Sequence, residues 1–246
     1  MNNLTEISWS ASAAEPAKVW IPALISVVFA AFGRAIRGVT TTGALAGAAV
    51  CFALIIAAGP RGFAALLVVF VLTWLATRFG YARKQSLGTA ERRTGRTAAQ
   101  VLANLGVAAF CAVLYATIWR DPRILIALLA ALAEVAADTV SSEIGKAIGG
   151  PPRLITNWNP VPSGTDGAIT VAGTAAGIAA SIAVSLTGVF SWGAALICAA
   201  AGVIGMMADS FLGATVEREG LVGNNAVNFF STAIAALIAF IVATLV

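Results

Sequence analysis

Apolar stretches recur along nearly the whole chain, and short polar loops separate them. Each runs for about 17–25 residues, the length at which one α-helix crosses the hydrocarbon core of a bilayer. Of the 246 residues, 59% are apolar and 11% are charged. A soluble domain has about a quarter of its residues charged. We therefore predict an all-α fold, a polytopic transmembrane helical bundle of about seven or eight helices.

Eight membrane spans are predicted from hydropathy and from breaks at Pro60, Pro122 and the proline pair 151–152. Their boundaries are soft by several residues. The spans cover residues 17–34, 39–58, 62–79, 98–119, 123–144, 167–187, 190–213 and 225–245. We expect a single integral-membrane domain over residues 1–246, with polar loops near 78–98, 144–168 and 213–225.

Basic residues are concentrated in the loops that follow spans one, three, five and seven, which share one side of the membrane. These loops hold 11 of the 15 Lys and Arg residues, so the positive-inside rule places them in the cytoplasm and both termini outside. Seven acidic residues fall on the same side: Glu91, Asp138, Glu143, Asp166, Asp209, Glu217 and Glu219. Nucleotides and magnesium are available on that face. We expect a bacterial plasma-membrane enzyme that acts on a lipid head group from the cytoplasm, rather than a through-channel.

The chain contains no histidine. Its absence excludes imidazole acid–base catalysis and histidine-ligated zinc. Any hydrolytic or transfer chemistry therefore uses carboxylates, lysine, arginine, hydroxyl groups or a hard metal ion.

Two kinds of small residue inside the apolar runs are interpreted as structural. Cys51, Cys111 and Cys198 show no paired spacing and are expected to be buried, inert thiols. The motifs Gly-x-x-x-Gly at 43–47 and at 173–177 are interpreted as ordinary helix-packing signals.

The fifth span ends in LAEVAADTVSSEIGK, which carries three carboxylates in an otherwise apolar helix. Glu134, Asp138 and Ser142 are spaced i, i+4 and i+8 and therefore form one polar stripe. An ionisable group inside a membrane span usually faces a cavity or a partner. The alternative for Asp138 is a surface carboxylate that reaches the head-group region. No role is assigned to Glu134.

A further acid, Asp209, lies near the end of the seventh span, in GMMADSFLGATVERE. Its Ala-Asp-Ser resembles the Ala-Asp-Thr at 137–139, and both end an apolar span on the same side. Two acids from different helices at one membrane depth can hold a divalent cation, with water and phosphate completing its ligands. We expect Asp138 and Asp209, together with Glu143, to bind Mg²⁺.

The segment PPRLITNWNPVPSGTDGAIT, residues 151–170, is rich in Pro and Gly and leads into the sixth span. A Ser-Gly-Thr-Asp-Gly turn at a helix N-terminus can present backbone N–H groups to an anion. Arg153 and Thr165 add a guanidinium and a hydroxyl for phosphate. An ordinary turn with a helix cap is the alternative. The segment does not match the G-x-x-x-x-G-K-[ST] loop, which excludes a soluble-type nucleotide domain.

Two other segments carry candidate ligands for a nucleotide or phosphate. Asn224 and Asn228 share a face at the start of the eighth span, where helix capping is the alternative role. The loop 77–100 holds six cations and one anion. Lys84 and Arg92, or Arg93, are its candidates for phosphate binding, and attraction to anionic lipid is the alternative reason for its charge.

The blocks ADTVSSEIG, PRLITNWNPVPSGTDGAIT, ADSFLGATVE and NNAVNFF resemble, in order, those of the integral-membrane phytyl-phosphate kinase family. TTGALAG and RKQSLGTAERRTGRTAAQVLANLG resemble its N-terminal half. The resemblance covers nearly the whole chain, and it extends distantly to CTP-dependent polyprenol kinases. Positions that match the family's blocks are Asp138, Ser142, Glu143, Arg153, Thr156, Gly164, Thr165, Gly167, Asp209 and Asn228. Of these, Ser142, Thr156, Gly164 and Gly167 are expected, together with Asp166, to bind phosphate or nucleotide. The sequence departs at Asp166, where the family usually has Asn, and at Ala168, where a second Gly is usual.

The resemblance implies phosphorylation of an isoprenoid alcohol monophosphate, such as phytyl phosphate, to the diphosphate, a step of phytol salvage for tocopherol. The donor is expected to be a nucleoside triphosphate, CTP rather than ATP, with Mg²⁺ as cofactor. Two alternatives would use many of the same residues. One is a cytidylyltransferase that makes a lipid nucleotide, and the other is a transporter of a small anionic or lipid-phosphate substrate. The expected partners are a lipid phosphate, a nucleotide and membrane lipids, with no nucleic acid, and the oligomeric state is left open.

Overall fold

The computed structural model describes residues 17–91, 93–188 and 191–246. Within them, the chain is helical apart from two paired two-residue strands, β1 (Arg153–Leu154) and β2 (Ala168–Ile169). The helices are α1 (Ala17–Ala35), α2 (Thr41–Arg78), α3 (Tyr81–Ser86), α4 (Ala98–Thr117), α5 (Pro122–Ile148), α6 (Val171–Thr187), α7 (Trp192–Leu212) and α8 (Asn224–Leu245). A π-helical turn, Gly213–Glu217, extends α7. Among the described residues, five helices are long and apolar enough to cross a membrane, which confirms the all-α polytopic membrane fold.

Helix α2 contains two of the predicted spans, because the chain reverses direction inside it. Gly59 has φ 58° and ψ −148°, which is not helical, and Pro60 follows it. A Cβ built on Gly62 would lie 2.5 Å from the carbonyl oxygen of Leu54. Residues eight apart in a straight helix are separated by about 12 Å along its axis. The segments 41–58 and 60–78 therefore run antiparallel, as the two spans were predicted to do.

Helix α5 is the centre of the bundle. It contacts α2, α4, α6, α7 and α8, and the side chains from Ile124 to Ala137 are all buried. Helix α6 approaches it closely: a Cβ at Gly173 would lie 2.5 Å from the Ser141 carbonyl oxygen, and one at Gly177 would lie 2.8 Å from that of Ala137. These two glycines are packing residues, as predicted. The central position of α5 places its polar residues at the inner wall of the bundle.

The packing prediction is wrong for Gly47. A Cβ built there meets no atom within 4 Å, so no helix packs against this glycine. Gly43 contacts a loop instead of a helix, and a Cβ on it would overlap the carbonyl oxygen of Arg96. Spacing alone did not distinguish these positions from Gly173 and Gly177. The three cysteines are buried and free, as predicted.

The main boundary error concerns the segment between α5 and α6. Helix α5 continues to Ile148, and α6 starts at Val171 rather than at residue 167. Strands β1 and β2 pair as an antiparallel hairpin and take residues 168–169 out of the helix. Thr170 then caps α6 by accepting a hydrogen bond from the backbone N–H of Gly173 at 3.0 Å.

Candidate functional site

Loops that are far apart in sequence meet at one end of the bundle. The backbone N–H of Thr40 donates to the carbonyl of Arg96 at 2.9 Å. The turn 163–167, in the loop after span five, packs against the loop after span three and the segment after span seven: a Cβ on Gly164 would overlap Thr89, and one on Gly167 would overlap Ala214. The loops after spans one, three, five and seven therefore lie together, as the order of the spans predicted.

A polar cavity of about 290 Å³ opens among these loops, bounded by α4, α5, α7 and α8. The structure brings together most of the residues that the sequence singled out. Those that line the cavity are Asp138, Ser142, Glu143, Gly164, Thr165, Asp166, Gly167, Asp209, Asn224 and Asn228. They come from the ends of three helices and from the Gly-rich turn, so no short stretch of the chain forms this cavity.

Asp138 of α5 and Asp209 of α7 form a pair of carboxyl groups within hydrogen-bonding reach of each other. The hydroxyl of Ser231 donates to Oδ2 of Asp209 at 3.1 Å. With its amide nitrogen facing Asp209, Asn228 donates to the same oxygen at 3.2 Å and accepts from Asn104 at 3.2 Å. Two donors from α8 thus fix the orientation of the Asp209 carboxyl group.

Glu134 lies one helical turn deeper than Asp138. Its side chain is buried against Gly205, whose missing Cβ would lie 2.6 Å from Cγ of Glu134. Oε1 of Glu134 has no hydrogen-bond partner among the described residues. The stripe Glu134–Asp138–Ser142 predicted from helical spacing therefore faces the bundle interior, and Glu134 forms its buried end.

The donor set fits a magnesium ion that is shared with phosphate. No group of three Asp, Glu, Cys or His side chains in the described part of the chain is placed to hold a metal on its own. Mg²⁺ is commonly bound by one or two carboxylates plus substrate phosphates and water, so the pair Asp138 and Asp209 suffices. Two ionised carboxylates in contact also repel each other, and a bound cation would remove that repulsion.

The structure assigns Glu143 and Lys84 roles other than those predicted. Oε2 of Glu143 accepts from Nζ of Lys84 at 2.5 Å, and Oε1 accepts from Nζ of Lys146 at 2.6 Å. Lys84 also donates to the carbonyls of Ala76 and Thr77, at 2.9 and 2.8 Å, and is fully buried. The prediction that Lys84 binds phosphate is wrong, because all three of its donors are used internally. Glu143 contacts two cations rather than pairing with Asp138 and Asp209.

Two other predicted phosphate ligands, Arg153 and Thr156, do not line the cavity. The guanidinium of Arg153 donates to the carbonyl of Trp158 at 2.7 Å and so orders the exposed 153–160 loop. Thr156 is exposed in the same loop and does not line the cavity. Arg92 lies outside the described residues. The loop 153–160 closes on itself through a bridge between Arg153 and Pro160 and through the N–H of Leu154, which donates to the carbonyl of Asn159 at 3.0 Å. The sequence pattern did not indicate this closure.

The structure also differs from the prediction of an anion site at the N-terminus of α6. The turn holds Gly164 and Gly167 at φ 88° and 73°, conformations that favour glycine. Thr165 donates its hydroxyl to the carbonyl of Pro162 at 2.8 Å. Strand β2 separates this turn from α6, so the wall of the cavity is formed by the turn together with β2 and Thr170, the N-cap of α6.

Residues that sequence reasoning did not select also line the cavity. The guanidinium of Arg96 donates to Oγ1 of Thr139 at 3.2 Å, beside Asp138. Glu217 lies near Asp166 and Asp138, close enough for their charges to interact. Arg96 was one of six cations in its loop, and no feature of its position in the sequence set it apart from the other five.

Comparison with known proteins places these residues within a family. The model of the family described as integral membrane protein DUF92 matches residues 24–236. An uncharacterized membrane protein of Methanocaldococcus jannaschii is 32% identical over 228 residues, covering 92% of this chain and 94% of its own. One from Synechocystis is 33% identical over 249 residues, covering 97% and 95%. The chloroplastic protein VTE6 of Arabidopsis thaliana is 29% identical over 196 residues, covering 74% and 59%. No solved structure matches the chain.

Proposed function

The chain belongs to the DUF92 family of integral membrane proteins, and on that premise we propose that it is a membrane-embedded phosphotransferase. It converts an isoprenoid alcohol monophosphate, phytyl or another prenyl phosphate, to the diphosphate. The donor is a nucleoside triphosphate, with CTP favoured over ATP. The sequence blocks that resemble the phytyl-phosphate kinase family support this acceptor, and the polar cavity supports the chemistry.

The observation that carries the proposal is the carboxyl pair of Asp138 and Asp209 in a polar cavity at one end of an apolar bundle. Phosphoryl transfer depends on positioning and on neutralising phosphate charge, more than on covalent catalysis by the protein. Asp138 and Asp209 would hold Mg²⁺, which when bound neutralises phosphate charge. The buried Glu134 beneath them is assigned no direct role in the transfer.

Two cations at the cavity supply the remaining charge. Arg96 lines the wall beside Asp138, and Lys146 lines it while one contact, to Glu143, restrains its ammonium group. Ser231 and Asn228 hold the carboxyl group of Asp209 in place. These contacts preorganise the site before any substrate binds, which is the main source of electrostatic catalysis.

The reaction needs no proton transfer. An oxygen of the acceptor phosphate attacks the γ-phosphorus of the donor, the bond from that phosphorus to the bridging oxygen breaks, and the nucleoside diphosphate leaves. A phosphate monoester with a second pKa of about 6 is already ionised at pH 7, so no strong general base is required. This agrees with a chain that lacks histidine.

Two alternatives use the same cavity. A cytidylyltransferase would join the lipid phosphate to the α-phosphorus of CTP and release pyrophosphate. A transporter typically carries its charged residues near the bilayer midplane, in corresponding halves of the chain. The one observation that favours transport is Glu134, which is buried deeper than the acid pair.

Product analysis separates these functions. Purified protein in detergent is incubated with geranylgeranyl phosphate, Mg²⁺ and CTP or ATP, and the lipid products are identified by mass. We expect prenyl diphosphate, lost on addition of EDTA. A cytidine-bearing lipid would overturn the kinase in favour of the cytidylyltransferase. Counterflow of lipid phosphate in liposomes, with no covalent product, would overturn both enzymes.

A further inference from the structure

A second cavity, of about 480 Å³, lies beside the polar one and is bounded by α1, α2 and α4. Its walls are largely apolar, formed by side chains such as Phe29, Leu66, Val69 and Phe70, with Val135 of α5 at its inner wall. The volume falls in the range of about 300–1,000 Å³ that is typical of small-ligand sites. None of the phosphotransfer residues described above, apart from Arg96, lines this cavity.

Arginine side chains line the loop end of this apolar cavity. Arg37, Arg78, Arg93 and Arg96 all contribute, against the single acid Glu91. Two of these cations are held by stacking contacts: the guanidinium of Arg78 lies 4.3 Å from the centre of the Trp74 ring, and that of Arg93 lies 4.8 Å from that of Tyr81. An apolar cavity with cations at one end is complementary to a molecule with an apolar tail and an anionic head group.

The two cavities adjoin each other at three residues. Glu91, Arg96 and Asn104 line both of them. The guanidinium of Arg96 donates a hydrogen bond to Thr139, the residue that follows Asp138. This guanidinium therefore lies between the apolar cavity and the acid pair. A ligand whose tail fills the apolar cavity would therefore present its head group to the polar cavity at Arg96.

The backbone fixes the position of Arg96. Its N–H donates to the carbonyl of Gly38 at 3.1 Å, and its carbonyl accepts from the N–H of Thr40 at 2.9 Å. Gly43 lies directly against that carbonyl, where a Cβ would overlap it. The segment 38–43 thus holds Arg96 in one place without using its side chain.

We propose that the α1–α2–α4 cavity binds the apolar tail of the acceptor lipid and that Arg96 binds its phosphate at the junction of the two cavities. The inference rests on the proposed function for the identity of the acceptor. It adds that the acceptor tail occupies a cavity separate from the polar one, and that this apolar cavity determines which tails are accepted.

Gly47 allows a direct test. It lines the apolar cavity, and a Cβ there meets no atom within 4 Å, so Gly47→Phe places a ring in the cavity without a backbone clash. Gly106 of α4 is equally open, is similarly half-buried and lines neither cavity, so Gly106→Phe is the matched control. The measurement is the Kd of geranylgeranyl phosphate for purified protein without nucleotide, by native mass spectrometry.

We expect Gly47→Phe to weaken binding about tenfold or more, because the ring displaces tail area worth at least one buried apolar side chain. Gly106→Phe should bind as the wild type does. Arg96→Gln should weaken binding of geranylgeranyl phosphate while leaving binding of the parent alcohol, geranylgeraniol, unchanged. Leu66→Ala, which enlarges the cavity, should shift the preferred tail to a longer one.

Wild-type affinity in Gly47→Phe would overturn the assignment of the tail, and equal losses for phosphate and alcohol in Arg96→Gln would overturn that of the head group. If Gly47→Phe does not fold, the tail-length preference of Leu66→Ala decides: an unchanged preference overturns the inference. Tight binding with the expected variant pattern, but no diphosphate product, would uphold this inference and refute the proposed kinase activity.

Discussion

The ammonium group of Lys84 lies 2.5 Å from Oε2 of Glu143, although the two residues are 59 positions apart in the chain. The Lys84 side chain is fully buried and that of Glu143 is 5% exposed. This ion pair joins the loop after the third span to the central helix α5 at the wall of the polar cavity, which Glu143 lines. A pair of this kind holds the loop that carries Arg96 close to the helix that carries Asp138.

Removing one partner of this pair should destabilise the protein. Lys84→Met leaves Glu143 buried with only Lys146 as partner, and loss of one member of a buried pair typically costs about 3–5 kcal/mol. We expect a clear drop in the unfolding temperature in detergent, measured by the fluorescence of a thiol-reactive dye as the three buried cysteines become exposed.

The double variant Lys84→Met, Glu143→Gln provides the control for that measurement. It removes the uncompensated charge, so part of the lost stability should return. If the Lys84 ion pair were exposed rather than buried, its loss would cost only about 0–1 kcal/mol. If Lys84→Met unfolds at the wild-type temperature, the ion pair does not hold the loop.

Gly43 and Gly47, one turn apart in α2, should respond in opposite ways to alanine. In Gly43→Ala the new methyl group overlaps the carbonyl of Arg96, and overpacking of this kind costs about 1–3 kcal/mol. In Gly47→Ala the methyl group meets open space, and alanine favours the helix. Unfolding temperatures of the two variants check this. Equal stability would show that the backbone of Arg96 is not fixed by Gly43.

The orientation proposed from the positive-inside rule can be tested with two conservative cysteine substitutions. Ser86 and Thr117 are both exposed and lie at opposite ends of the bundle. In a variant whose native cysteines are replaced by alanine, a membrane-impermeant maleimide should label Ser86→Cys only in inside-out vesicles. It should label Thr117→Cys only in right-side-out vesicles. The reverse pattern would place the polar cavity outside the cell.

Much of the fold follows from hydropathy, and the Asp138–Asp209 pair follows from helical spacing and matching depth. Both acids end apolar spans on the same side, so the helices place them together without any information about loops. Lys84 shows where such reasoning fails. A lysine in a basic loop has the same sequence signature whether it faces a ligand or a buried carboxylate, and only the tertiary contact with Glu143 distinguishes the two.

The positions of Arg96 and Arg153 also could not be predicted from the sequence. Arg153 lies in a block that resembles the kinase family, yet its guanidinium donates to the carbonyl of Trp158 within the loop 153–160. Arg96 had no distinguishing neighbour in sequence, and its position depends on backbone hydrogen bonds to the segment 38–40. Long-range backbone contacts leave no periodic pattern in the sequence, which is why the cations of the site were harder to predict than its acids.

Asp121 provides the matched control for the central claim. It lies at the other end of the bundle, where a hydrogen bond from Arg123 keeps its pKa below the usual value for an aspartate. It caps α5, and asparagine caps a helix as well as aspartate does, so Asp121→Asn should fold normally. The substitution changes one carboxylate to an amide, as Asp138→Asn and Asp209→Asn do.

The most direct test measures prenyl diphosphate formation from geranylgeranyl phosphate, Mg²⁺ and CTP by these three variants and the wild type. We predict that Asp138→Asn and Asp209→Asn each reduce the rate about a hundredfold or more, as loss of a charge-stabilising group typically does. Asp121→Asn should retain the wild-type rate. Full activity in both Asp138→Asn and Asp209→Asn would contradict the assignment of this pair as the centre of phosphoryl transfer.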